Sequence, residues 1–400
     1  MRNQTARPSR RVARVSSLSL AVALLAATLA APRTVPLVAA QRSAIDTYAI
    51  TNARIVTVSG AEIPRGTLVI RNGLIAAVGA NTAAPADARI IDGTGLTIYP
   101  GLIDANTNLG MPAAAPRPTG GGAAAAFLAA QQQPTPVVAS LNSPQPVGLQ
   151  PEVLASDLVR PGSEQIEAAR NAGITAVLTA PREGIFIGQS AFVNLAGETP
   201  QQMIVRSPVA LHIGFTPLRT GTYPGSLLGV FAAIRQMLLD AGRYREANAV
   251  YEKSPRGVRR PNQDKSLDAL LPVLARQMPV VMYADRQREI ERALDLAQEF
   301  NLRLIIAGGA ESWRVAERLA AAKVPVLLSL NYPRRTTAET PEADPDPIRV
   351  LRERVDAPKT AGRLAAAGVR FAFQSGGLTN MSDYLSNVSK SIDNGLARDE

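Results

Sequence analysis

From Pro161 onward the chain repeats one pattern: a polar segment of helical period, a glycine or turn, then a short apolar run. Glu164–Ala172 stops at Gly173 and leads into Ile174–Leu178, and Asp285 stands where a helix bearing Ile290, Ala293, Leu294 and Ala297 on one face needs an N-cap. That helix leads into Leu302–Ile306; Glu311–Ala322 leads into Val324–Leu330; Thr360–Ala367 stops at Gly368 and leads into Val369–Phe373. Strands this apolar must be covered on both faces, which is the condition of a parallel sheet under helices. Phe192–Ala196, Pro208–Phe215, Pro279–Tyr283 and Tyr99–Ala105 are further candidates, bringing the total to eight. Eight such strands predict an α/β fold of the TIM-like (β/α)8 barrel type rather than an open sheet.

Ahead of the barrel the texture is β. Ile55–Val58 is short and β-branched, and Thr67–Arg71 and Leu74–Val78 flank Asn72-Gly73, a dipeptide that accepts positive φ at both turn positions. Residues 41–98 are therefore expected to form part of a small, incomplete β-sandwich, with the barrel spanning 99–400. Residues 111–150 run through Ala, Pro, Gly and Gln in low-complexity order and predict a long loop. The first forty residues read as an address. An arginine-rich start, the apolar run Leu18–Ala31 and the small-residue site Val38-Ala39-Ala40 make the three parts of a secretory signal peptide, cleaved after Ala40. The run falls short of the roughly 20 residues a membrane span needs. A periplasmic or secreted protein without a stable membrane anchor is expected.

Composition then narrows the chemistry. There is no cysteine, and His212 is the only histidine, so thiolate sites, disulfides and multi-histidine zinc sites are excluded. The net charge of +10 owes six arginines to the acid-free first forty residues, leaving +4 for the remainder, too little to argue for nucleic acid. The basic stretch Arg243–Lys265 has few aromatics and reads as a solvated surface.

The string Tyr99-Pro100-Gly101-Leu102-Ile103-Asp104-Ala105-Asn106-Thr107-Asn108 resembles the most diagnostic motif of the amidohydrolase superfamily, where His-x-His stands in place of Asn106 and Asn108. The hairpin at Asn72-Gly73 and Ile90–Gly95 look like the small sandwich that precedes that motif. Val280–Asp285, Leu304–Gly309 and Phe371–Gly377 look like its fifth, sixth and eighth barrel strands. The likeness is greatest to the imidazolonepropionase-like branch and covers residues 48–400. It implies one or two divalent metals such as zinc, held by histidines after strands one, five and six, and an aspartate after strand eight that takes a proton from metal-bound water. Carried onto this chain, those positions are Asn106, Asn108, Tyr283, Ala307 and Gly376. A catalytic zinc needs about three imidazole, thiolate or carboxylate donors, and none of these five residues supplies one. No metal or other cofactor is therefore expected.

His212, on a candidate barrel strand, reads either as a pocket acid–base group or as a hydrogen-bonded core residue, and Asp285 reads either as the N-cap of the helix bearing Ile290 or as a surviving general base, the cap being favoured. Gly184–Gly188 and Gly308-Gly309 read as turns, without the spacing of a phosphate loop. Two functions compete. One is a non-catalytic descendant that binds a small molecule or a protein partner in the barrel mouth. The other is a metal-dependent hydrolase of C–N bonds in cyclic amides. The final residues, Asn394–Glu400, look like the start of a helix that in the family continues into strands completing the sandwich. A sheet left without those strands is expected to associate with another copy.

Overall fold

The computed structural model describes residues 47–112, 140, 143–218, 223–334, 346–378 and 380–398. The expected signal peptide and residues 113–139 of the expected loop lie outside them. The chain divides into two compact units, one ending at Pro100 and the other beginning at Gly101.

The first unit is one sheet of β1 (Thr47–Ile55), β2 (Ile63–Arg71), β3 (Leu74–Gly79), β4 (Arg89–Asp92) and β5 (Thr97–Ile98). Its order is β3-β2-β1-β4, with β5 also on β1. Asn72 and Gly73 join β2 to β3 with φ of 52° and 74°, as their sequence predicts. The strand expected at Ile55–Val58 is misplaced: β1 ends at Ile55, and Val58 turns away with φ 65°. Register puts Ile91, Ile50, Leu68 and Val78 side by side on one face, while Ala49 and Val69 share the other and are buried.

The second unit alternates strand and helix. In chain order it holds β6 (Leu102–Thr107), α1 (Glu164–Asn171), β7 (Ile174–Thr179), β8 (Phe186–Gln189), β9 (Ala191–Asn194), α2 (Pro200–Met203), β10 (Ile204–Arg206) and β11 (Leu211–Gly214). It continues with α3 (Leu227–Lys253), α4 (Lys265–Leu274), β12 (Val280–Ala284), α5 (Gln287–Glu299), β13 (Leu304–Gly308) and α6 (Ala316–Ala321). It ends with β14 (Val326–Ser329), α7 (Ile348–Asp356), α8 (Thr360–Ala366), β15 (Phe371–Gln374) and α9 (Asp383–Asp393). Ser163 caps α1 by accepting from the Ile166 N–H, and Gly173 and Gly368 leave α1 and α8 with φ of 86° and 71°.

The strands form a four-stranded sheet, β10-β9-β7-β6, and a six-stranded sheet, β15-β14-β13-β12-β11-β8. Placed end to end they follow barrel order, with two departures from the expected parallel ring. Residues 186–194, which begin inside the Gly184–Gly188 stretch that reads from sequence as a turn, run antiparallel to both neighbours, β8 against β11 and β9 against β7. The break falls at Ser190, which bonds the backbone of Val209 and Ala210. Among the described residues no backbone ladder joins β6 to β15. There the Ser375 N–H, one residue past β15, donates to Asp104 Oδ1 at 3.0 Å, and Ser375 Oγ donates to Asp104 Oδ2. A buried carboxylate joins the two strands instead.

Strand period sets which side chains face which layer. Leu211, Ile213, Val280, Met282, Leu304, Ile306, Val326 and Leu328 pack in the helix-facing core. Their alternates Val281, Tyr283, Ile305, Ala307 and Leu327 pack together on the opposite side. The helix α3 has no counterpart among the elements expected from sequence, and the first part of the basic stretch Arg243–Lys265 belongs to it. It buries Val230, Phe231, Ile234, Met237, Leu238 and Ala241 at helical spacing, and from Gly242 to Lys253 it buries nothing.

Candidate functional site at the strand ends

Asn106, Tyr283 and Ala307 are each the penultimate residue of their strand, and Gly376 follows β15 by two. All four line one cavity of about 1170 Å³ at the C-terminal ends of the strands, whose wall also includes Arg182, Asp285, Trp313 and Gln374. Asn108, grouped with them from sequence, does not line it. His212, in β11, does not line it either, yet its ring reaches the site through Tyr283.

Four side chains form a relay across the strands. Gln374 Nε2 donates to the Leu327 carbonyl at 3.0 Å, so its Oε1 is turned toward Asn106. Asn106 Nδ2 donates to that oxygen at 2.6 Å, which leaves Asn106 Oδ1 facing the Tyr283 hydroxyl at 3.0 Å. Tyrosine has one hydroxyl proton, and it is spent on Asn106. The contact of 3.1 Å between Tyr283 Oη and His212 Nδ1 therefore requires the imidazole to be the donor. A single carbonyl, which can only accept, thus orients every member. His212 Nε2 is left as a bare acceptor, buried and without a partner among the described residues.

Burial reinforces this neutral state. It pushes the His212 pKa down to about 3 and the Tyr283 pKa up to about 12, the latter opposed by the bond to Asn106 and the nearby Arg182 guanidinium. Beneath the relay, Asp104 is completely buried, and burial raises its pKa against the bonds from Ser375 and the Asn106 N–H.

The donor set does not suit a divalent metal. Asn106 offers only a neutral amide oxygen and Tyr283 a phenol oxygen, neither of the imidazole, thiolate or carboxylate kind, and Ala307 and Gly376 offer no donor atom. Among the described residues no three His, Asp or Glu side chains converge. A Cβ on Gly376 would lie 2.6 Å from Gln374 Oε1, so the relay also fills the space a side chain there would use.

Asp285 departs from its expected role. Glu289 Oε2 accepts from both the Asp285 and Arg286 N–H groups at 3.1 Å and so covers the start of α5. The Asp285 carboxyl instead takes the Ala310 N–H, and burial, with Glu289 and Glu353 nearby, raises its pKa. A glutamate three residues inside a helix is the legible signal for this cap. Gln374, which lines the cavity, and Ser375, which bonds Asp104, are not singled out by the sequence, although a glutamine closing the run Phe371–Phe373 is a visible break in an apolar strand.

No model of a protein family matches the sequence, and no curated protein matches it. Solved structures do. An amidohydrolase from Thermotoga maritima MSB8 superposes with a TM-score of 0.69 at 22% identity, covering 88% of this chain and 85% of that one. An L-hydantoinase from Arthrobacter aurescens (TM-score 0.37, 15% identity, 86% of this chain, 73% of that) and a Xaa-Pro dipeptidase (0.45, 14%, 88%, 84%) are too loosely similar to argue from. With the strand order and cavity already described, the first of these likenesses establishes that this chain has the fold of an amidohydrolase.

Proposed function

We propose that this chain is an exported, amidohydrolase-like (β/α)8 barrel of the imidazolonepropionase-like branch. In this reading it binds a small molecule or a protein segment in its mouth cavity and carries out no metal-dependent hydrolysis. The observation that supports this reading is the relay. Asn106 and Tyr283, at two of the positions where the family holds metal, are hydrogen-bonded to each other and to Gln374 and His212. Hydrolysis of an amide needs an activated water; without a metal its pKa stays near 15.7 rather than falling to about 7. The competing reading, a hydrolase of cyclic amides, draws on the fold likeness alone, and fold does not carry chemistry.

Elemental analysis of the purified, dialysed protein tests the proposal. Zinc, manganese and iron should be far below one per chain, and adding each should leave the melting temperature unchanged, because a ligand specific for the folded state must raise it. About one metal per chain, with a melting temperature that rises with added metal, would revive the hydrolase.

A further inference from the structure

We infer that the relay from Leu327 through Gln374, Asn106 and Tyr283 to His212 serves as the tie across the barrel mouth, and that Gln374 is the residue that keeps position 376 without a side chain. This goes beyond the proposed function and does not depend on what the cavity binds.

Three observations lead there. First, the relay crosses strands that the backbone does not join. Asn106 is on β6 and Gln374 on β15, which no ladder joins among the described residues, and Gln374 and Tyr283 extend the connection to β14, β12 and β11. Second, the relay has a single polarity fixed by one carbonyl, so no member can reverse without leaving a buried donor facing a donor, or an acceptor facing an acceptor. Third, Gly376 has no left-handed backbone, so nothing in its own conformation demands glycine. The obstacle is the neighbour: a Cβ at this position would come within 2.6 Å of Gln374 Oε1, 3.2 Å of the Asn106 carbonyl and 3.5 Å of Asn106 Nδ2. Gln374 could swing aside, but only by abandoning Asn106 and the Leu327 carbonyl together.

Glycine at 376 is thus explained by the relay rather than by a turn. In a typical site with ordinary backbone angles, Gly→Ala is slightly stabilising, because alanine has less freedom to lose on folding. Here the sign should reverse, and the reversal should depend on Gln374.

A four-protein cycle tests this: wild type, Gly376→Ala, Gln374→Ala and the double variant, compared by thermal melting. Gly376→Ala alone should lower the melting temperature by about 3 °C or more. On the Gln374→Ala background the same change should cost less than about 1 °C or raise it. Equal losses on both backgrounds overturn the assignment. If Gly376→Ala does not fold, recovery of folded protein in the double variant gives the same support, and failure to recover counts against it. A second measurement needs no variant. The chain has one histidine, so 15N-histidine labelling yields one imidazole to read. The relay requires a proton on Nδ1 and a bare Nε2, unchanged between about pH 8 and 5. A ring protonated on Nε2, or on both nitrogens in that range, overturns the polarity of the relay.

Discussion

His212 gives up its charge on folding. Burial pushes its pKa down to about 3 from the ordinary value of 6.5, so below about pH 6.5 the unfolded chain takes up a proton that the folded chain refuses. Stability is complete above that pH and falls as pH drops toward about 3, by up to about 1.4 kcal/mol per pH unit. Asp104 acts in the opposite sense, because a carboxyl whose pKa is raised on folding favours the folded state as pH falls. Replacing the histidine isolates its part. Relative to His212→Gln, which retains a donor for Tyr283, wild type should lose stability progressively between about pH 6.5 and 4.5. Denaturant titrations at a series of pH values check this, and parallel stability curves for the two proteins would show that the imidazole does not titrate in the unfolded chain alone.

Among the elements, the start of α5 gives to Glu289 the capping role that the sequence assigns to Asp285. Asp285 stands in the usual capping place, yet Glu289 covers the free N–H groups of Asp285 and Arg286, and the Asp285 carboxyl turns to Ala310. Removing a cap costs about 1 kcal/mol. Glu289→Ala should therefore lower the melting temperature by about 2–4 °C. Asp285→Ala should change it by less, because losing the Ala310 contact is offset by removing a carboxylate that burial and neighbouring acids already disfavour. Melting curves of the two variants decide the order; a larger loss from Asp285→Ala would return the cap to Asp285.

For the molecule as a whole, the sheet of the first unit raises the question of association. Ile75 is 68% exposed, Val78 44% and Ile91 41%, and register places Val78 and Ile91 on one face with Ile50 and Leu68 between them. The edge strand β3, Leu74–Gly79, carries no charge and no proline, the devices that usually keep free edges apart. The protein should self-associate at micromolar to millimolar concentration, and Ile75→Lys should shift it toward monomer in light scattering coupled to size-exclusion chromatography. A wild-type protein that stays monomeric across that range would show that this sheet needs no further cover.

Much of this architecture is legible along the chain, because its causes are local. Helix period, glycine stops and apolar runs locate α1, α5 and most strands of the second unit, and Asn72-Gly73 locates the hairpin between β2 and β3. One histidine and no cysteine bound the metal chemistry by composition alone. Local pattern also misleads: from Gly242 to Lys253 α3 buries nothing and so lacks an apolar stripe, and Gly184–Gly188 resembles a turn although β8 begins within it. Only the tertiary structure could bring Asn106, His212, Tyr283 and Gln374 together, since each lies on a different strand and the closest two in sequence are 71 residues apart. Their pairing depends on how neighbouring strands are staggered, and a shift of one residue would turn every one of these side chains to the opposite face. The direction of each hydrogen bond then follows from the Leu327 carbonyl, and β6 and β15 meet through Asp104 and the Ser375 N–H. Those are long-range consequences of register, which no local period encodes.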